Sequence, residues 1–266
     1  MLHSEDLYQL KNHFDQKDLI FYPGSGIDIQ PLLLRAFGIG DDHKRHFVYC
    51  DNDESVISFY RNLINIPNEV SEWKKLNPQY SSFFDSHNLT SIKIHSFTDN
   101  KDSKLPHISF ELELSSNNKS FVSKLDFFGT TIESYLDTYH PKYFADRKIK
   151  CVLYIKQQHK EVGGRDNFFA KSTFNKHLNN PNLLKNTSFV ICDTQELLGD
   201  KNWQPYPSPT QSSLPGWGVA GNSLVTSKSA VIYERVTGNT EKQSQPSETE
   251  ELKPILKLLS NLKFSV

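Results

Sequence analysis

Cysteine is scarce in this chain: three occur among 266 residues, at positions 50, 151 and 192. The number is odd and the spacing wide, and each cysteine sits in or at the end of an apolar run. Buried reduced thiols are therefore expected, rather than a disulfide framework or a metal site. Charge of one sign is lacking as well. Thirty Lys and Arg against 31 Asp and Glu leave a formal net charge of -1, so net charge indicates no nucleic-acid partner and no anionic membrane surface. No apolar run approaches the length that spans a bilayer. Met1-Leu2-His3-Ser4-Glu5-Asp6 has neither the basic start nor the apolar stretch of a secretion signal. A cytoplasmic protein without a membrane partner is the expectation. The chain also lacks HExxH, GxxxxGK[ST] and GxSxG, which removes a zincin, a P-loop nucleotide site and an α/β-hydrolase elbow.

What is present is an alternation of apolar strand-like runs and helical periodicities. Ser4 can cap a first helix with Leu7, Leu10 and Phe14 on one face. Residues 19–22 and 46–50 read as strands. Pro31 suits the first turn of a helix ending at Gly38 or Gly40. Glu54 to Asn65 reads as a helix with Val56, Ile57, Tyr60, Leu63 and Ile64 inward. Residues 67–90 read as an insertion with partial helix, followed by a strand near 90–95. Alternation over 108–114 and 121–128, around Ser115-Ser116-Asn117-Asn118, predicts an inserted hairpin. A short helix starts at Thr131 and is broken at His140-Pro141. Strand 151–155, helix 167–178, strand 188–192, a loop over 200–222 and strand 229–236 follow. Residues 237–251 read as a polar linker, and 252–266 as a C-terminal helix with Leu252, Ile255, Leu256, Leu259 and Leu262 on one face.

This order predicts an α/β fold, a Rossmann-like three-layer sandwich. Its sheet would be mostly parallel, with an antiparallel final strand, an inserted hairpin and a C-terminal helix. The domain would span 1–236 with insertions at 67–90 and 108–128.

The segment FYPGSGID, Phe21 to Asp28, joins the first strand to the first helix. In an open α/β sheet a ligand crevice lies outside the carboxyl ends of the strands. Gly24 and Gly26 permit close approach and positive φ there. The second strand ends at Asp51, 25 residues after Gly26, near the ~20-residue spacing at which an acid meets ribose hydroxyls. Asp28 beside a helix N-terminus suits a cation and opposes a pyrophosphate, which argues against NAD and FAD. The structural alternative is that Asp28 caps the helix, Gly24 and Gly26 shape a tight turn, and Asp51-Asn52-Asp53 caps the next helix.

These motifs resemble the class I S-adenosylmethionine-dependent methyltransferases, whose first strand ends in acidic-x-Gly-x-Gly-x-Gly and whose second ends in an acid. Gly24 and Gly26 match the first two glycines, and Asp51 matches the ribose acid. Tyr22 stands where the family has its first acid, and Asp28 where it has the third glycine. The resemblance implies S-adenosylmethionine as cofactor, a small adenosyl ligand contacting Tyr22, Gly24, Ser25, Gly26, Asp28, Asp51 and Asn52, and a methyl acceptor that the sequence does not name. A non-catalytic Rossmann-like binding or regulatory module is the other reading. Asn77-Pro78-Gln79-Tyr80 only loosely resembles the Asn/Asp-Pro-Pro-Tyr motif of amino-group methyltransferases and reads as a loop. Lys156, Asp126 and Glu234 suggest a Lys-Asp-Lys-Glu tetrad, set against Lys156 as a solvated strand-end residue. Loop 163–166 falls at the same edge, as a substrate contact or as the start of the following helix, and loop 216–222 precedes the last strand, as a substrate lid or as a structured surface turn.

Overall fold

The first two strands are rich in apolar residues, and both of their faces are covered. These are β1 (Leu19–Pro23) and β2 (Arg45–Cys50), buried along their whole lengths. Side chains alternate between the faces of a strand. Ile20, Tyr22, Phe47 and Tyr49 accordingly join one core cluster, while Leu19, Phe21, Val48 and Cys50 join another. The computed structural model describes residues 10, 13–33, 44–76, 78, 81–86, 88–100, 105–116, 119–154, 176–184, 187–192, 201–206 and 231–236.

The other described strands are β3 (Leu89–Asn100), β4 (His107–Ser116), β5 (Lys119–Phe128), β6 (Ile149–Tyr154), β7 (Phe189–Cys192), β8 (Trp203–Pro205) and β9 (Val231–Arg235). All nine form one sheet in the order β3-β4-β5-β2-β1-β6-β7-β9-β8. The run from β5 to β7 is parallel. The pairings β3–β4, β4–β5, β7–β9 and β8–β9 are antiparallel.

The expected mostly parallel, three-layer Rossmann-like sandwich is therefore corrected: the fold is a nine-stranded mixed sheet with half its pairings antiparallel. The described helices are short. They are α1 (Gln30–Leu33), α2 (Glu54–Asn62), α3 (Val70–Leu76), α4 (Ser81–Ser86), α5 (Ile132–Ser134), α6 (His140–Tyr143) and α7 (Pro181–Leu184).

The hairpin read over 108–128 is present as β4 and β5, paired antiparallel from His107↔Phe128 to Ser116↔Lys119. Its second strand also pairs in parallel with β2, from Arg45↔Ser123 to Cys50↔Phe128, and the last four residues of β5 are buried. Two particular readings failed for identifiable reasons. The loop predicted over 200–222 contains β8, whose three residues are too few for any periodicity to register. Ile64, expected inward, is 40% exposed. The chain tightens into a 3-10 turn at Leu63–Asn65, and the smaller angular step leaves Leu63 inward and turns Ile64 out.

The α2 helix starts where its sequence dictates. Asp53 is the N-cap and accepts from Ser55 N at 2.8 Å. The break expected at His140-Pro141 does not occur. Thr131 caps α5, a π-helical turn follows over Tyr135–Tyr139, and Pro141 occupies the first turn of α6, where no amide donor is needed.

All three cysteines are buried, and none is in a disulfide. The chain divides into two compact units, Met1–Arg235 and Val236–Val266. The linker over 237–251 and the helix over 252–266 lie outside the described residues. Among the described residues no helix is long and apolar enough to cross a membrane.

Candidate functional site

The strand order reverses direction at β1, which has β2 on one side and β6 on the other. At such a switch point the connections leave in opposite directions and open a crevice at the carboxyl ends of the strands. The glycine turn follows β1 at this place. Gly24 and Gly26 both take left-handed backbone, with φ of 56° and 52°. That conformation costs a side-chain-bearing residue about 1–2 kcal/mol.

The turn is fastened to β2. Ser25 N donates to Cys50 O at 3.3 Å. Gly26 N donates to Asp51 Oδ2 at 2.9 Å, while Asp53 N donates to Asp51 Oδ1 at 3.0 Å. Asp51 itself is tied to β5 through its amide, which donates to Phe128 O at 3.2 Å. Its carboxylate thus joins the carboxyl ends of β1 and β2.

On the other side of the turn, Tyr22 Oη donates to Asp28 Oδ2 at 3.0 Å. The seven residues expected at a ligand are therefore not equivalent. Tyr22–Asp28 and Gly26–Asp51 are brought together as pairs. Ser25 is buried and Asn52 is exposed. Ser25 lies within the turn, donating from its amide to Cys50 O and accepting from the Asp28 amide. Asp53, not Asp51, is the helix cap.

Sequence reasoning missed the floor of this site. Tyr22 and Tyr49 are register partners on β1 and β2, with ring centroids 5.2 Å apart in an edge-on arrangement. Tyr60 lies edge-on to Tyr49 and stacks on Phe127 at 4.3 Å. The signal was a tyrosine just before the last residue of each strand, in FYP and VYC.

Burial, and then the Asp28 charge, pushes the Tyr22 phenol well above its usual range. Burial does the same to Tyr60, with smaller upward pushes from Asp28 and Asp51 and an opposing contact from Ser25. The Tyr60 hydroxyl is buried beside Ser25 but makes no hydrogen bond of good geometry. Both phenols are neutral donors at physiological pH.

A second group of polar residues lies on the other face of the sheet. His177 Nε2 and Glu133 Oε1 are 3.2 Å apart, with Lys176 Nζ at 3.6 Å from the same carboxylate oxygen. On that face too, Asp126 Oδ2 is 2.5 Å from His46 Nε2, and Asp126 Oδ1 is 2.8 Å from His107 Nε2. Burial pushes the Asp126 carboxyl up, but the hydrogen bonds from His107 and His46 and the Lys124 charge outweigh it and hold the group far below the usual carboxylate range.

These contacts remove the tetrad. Asp126 on β5 and Glu234 on β9 are five strand spacings apart, roughly 24 Å, and Glu234 accepts from Gln204 Nε2 at 2.6 Å. Lys156 and the loops 163–166 and 216–222 lie outside the described residues. Among the described residues no group of three or more His, Cys, Asp or Glu is placed to hold a metal. Comparison with protein-family models, with curated proteins and with solved structures returned no match.

Proposed function

We propose that the glycine turn between β1 and α1 binds S-adenosylmethionine and that the protein transfers its methyl group to an acceptor. The observation that carries this reading is the Gly26 N to Asp51 Oδ2 bond of 2.9 Å, which sets a carboxylate against a positive-φ glycine turn at the switch point of the sheet. Each carboxylate oxygen has two lone pairs, so Asp51 retains acceptor capacity for ribose hydroxyls while holding the turn. Asp28 adds a second negative charge, which favours a ligand bearing sulfonium and ammonium groups and disfavours one bearing phosphates.

A non-catalytic ligand-binding module is the second reading. The observation that favours it is Tyr22, a buried neutral phenol in the place of the family's first acid.

Thermal unfolding with added ligand tests the binding. A ligand at a hundredfold excess over its Kd stabilises the folded state by about 2.7 kcal/mol, a rise in Tm of several degrees at roughly 2–4 °C per kcal/mol. Asp51→Ala is expected to remove most of that rise. No rise in the wild-type protein at millimolar S-adenosylmethionine would remove the cofactor from the reading. A rise unaccompanied by transfer of labelled methyl to any of a panel of amine, hydroxyl and nucleic-acid acceptors would favour the module.

A further inference from the structure

We infer that Tyr22 is a positioning residue that aims the Asp28 carboxylate at the crevice, and that the Tyr22–Asp28 pair makes the site selective for a ligand with a cationic tail. This rests on the adenosyl-ligand reading above.

Tyr22 is 1% exposed and held edge-on against Tyr49, so its hydroxyl is a fixed point. Asp28 follows the turn and is only half-buried. Its amide donates to Ser25 O at 3.2 Å, and its Oδ2 accepts from Tyr22 Oη at 3.0 Å. An aspartate side chain has three staggered χ1 wells, and a core phenol bonded to one oxygen selects among them. The phenol stays neutral, because burial and the Asp28 charge both raise it. It therefore donates without cancelling the carboxylate's charge.

Asp28 and Asp51 flank Gly24-Ser25-Gly26, and both act electrostatically on Tyr60. The buried Tyr60 hydroxyl, beside Ser25 and without a hydrogen bond of good geometry, is a polar group facing the same turn. A cation entering here meets two carboxylates over a floor of neutral hydroxyls. A neutral nucleoside has only Asp51 and the turn to bind.

Calorimetric titration of the full chain with S-adenosylmethionine and, separately, adenosine tests this. Tyr22→Phe keeps the ring and removes only the hydroxyl. It is expected to weaken S-adenosylmethionine roughly ten- to a hundredfold, the scale of one hydrogen bond to a charged group, and to leave adenosine unchanged. Asp28→Asn, which leaves the core intact, is expected to lose the same selectivity. The double variant is expected to lose little more than either single one, because the two residues act as one unit.

Equal losses for both ligands in Tyr22→Phe would reduce Tyr22 to a packing residue and overturn the inference. Unchanged S-adenosylmethionine binding in Asp28→Asn would overturn it without touching the adenosyl reading. A wild-type protein that binds neither ligand would overturn both.

Discussion

His46 presents its two ring nitrogens to opposite partners, Nε2 to Asp126 at 2.5 Å and Nδ1 to Arg147. A guanidinium can only donate, so Nδ1 accepts and Nε2 carries the proton toward Asp126. The tautomer is therefore fixed by the neighbours. Arg147 is fixed in turn by the Lys17 carbonyl, 2.8 Å from its Nε. The arrangement joins the chain before β1, β2, β5 and the entry to β6.

Asp126→Ala would leave His46 and His107 without their shared acceptor. Each buried donor left unsatisfied costs about 1–3 kcal/mol, so the two together cost about 2–5 kcal/mol, and Asp126 has a side-chain exposure of 5%. Urea unfolding should show a loss in that range. A loss below about 1 kcal/mol, the ceiling for an exposed pair, would mean that the network contributes little to stability.

Acid should destabilise the protein well before its carboxylates titrate. Burial lowers His46 against the opposing pull of Asp126, lowers His177 against that of Glu133, and lowers His140 to about 4 against a backbone hydrogen bond at Arg147. In the unfolded chain each protonates near pH 6.5. Between the folded and unfolded values the unfolded chain binds more protons, so stability is fully present above about pH 6.5 and falls as the pH drops toward 4. His140 alone accounts for roughly 2–3 kcal/mol between pH 7 and 4.5. Urea midpoints at those two pH values should differ less in His140→Gln than in the wild type; equal differences would exclude His140 as a source.

Two glycines should fail for different reasons. Gly26→Ala meets no atom within 4 Å but keeps a φ of +52°, so its cost is backbone strain of about 1–2 kcal/mol. Gly26→Asn should recover part of it, because asparagine enters this region more readily. At Gly129 an added Cβ would lie 2.9 Å from Ile57 Cδ1 and 2.9 Å from Pro106 Cβ. Overpacking there should cost about 1–3 kcal/mol, with no relief from asparagine. Thermal unfolding of the four variants separates the two causes.

Two buried hydroxyls should be dispensable. Ser123 and Thr187 are each 1% exposed, and Ser123 Oγ and Thr187 Oγ1 make no hydrogen bond among the described residues. An unsatisfied buried hydroxyl costs roughly 1–3 kcal/mol. Thr187→Val and Ser123→Ala should therefore be neutral or stabilising by about 1 kcal/mol, and a clear fall in Tm in either would mean the hydroxyl has a function.

The central strands were legible because burial on both faces writes itself as continuous apolar runs, as in Leu19-Ile20-Phe21 and Cys151-Val152-Leu153. The α2 start was legible in Asp53, and the left-handed turn in Gly24 and Gly26. Pairing partners were not. Nothing in the alternation of 121–128 distinguishes a strand whose second neighbour is β4 from one that also lies beside β2, since that depends on residues far off in the chain. The site was legible as separate residues, but the Tyr22–Asp28 contact and the tyrosine floor required the register Tyr22↔Tyr49. The Asp126 network was misread because an acid on a strand carries no mark of which histidines will surround it.

The pairing of Leu19 with Ile149 has a consequence for biosynthesis. A ribosome adds roughly 5–20 residues per second, so β1 is made several seconds to about half a minute before the strand that covers its second flank. In that interval β1 and β2 can pair, yet β1 still presents a row of open amides and carbonyls along an apolar ribbon. Such an edge is a template for any strand that reaches it, and the nearest are β3, β4 and β5 of the same chain, which are made before β6.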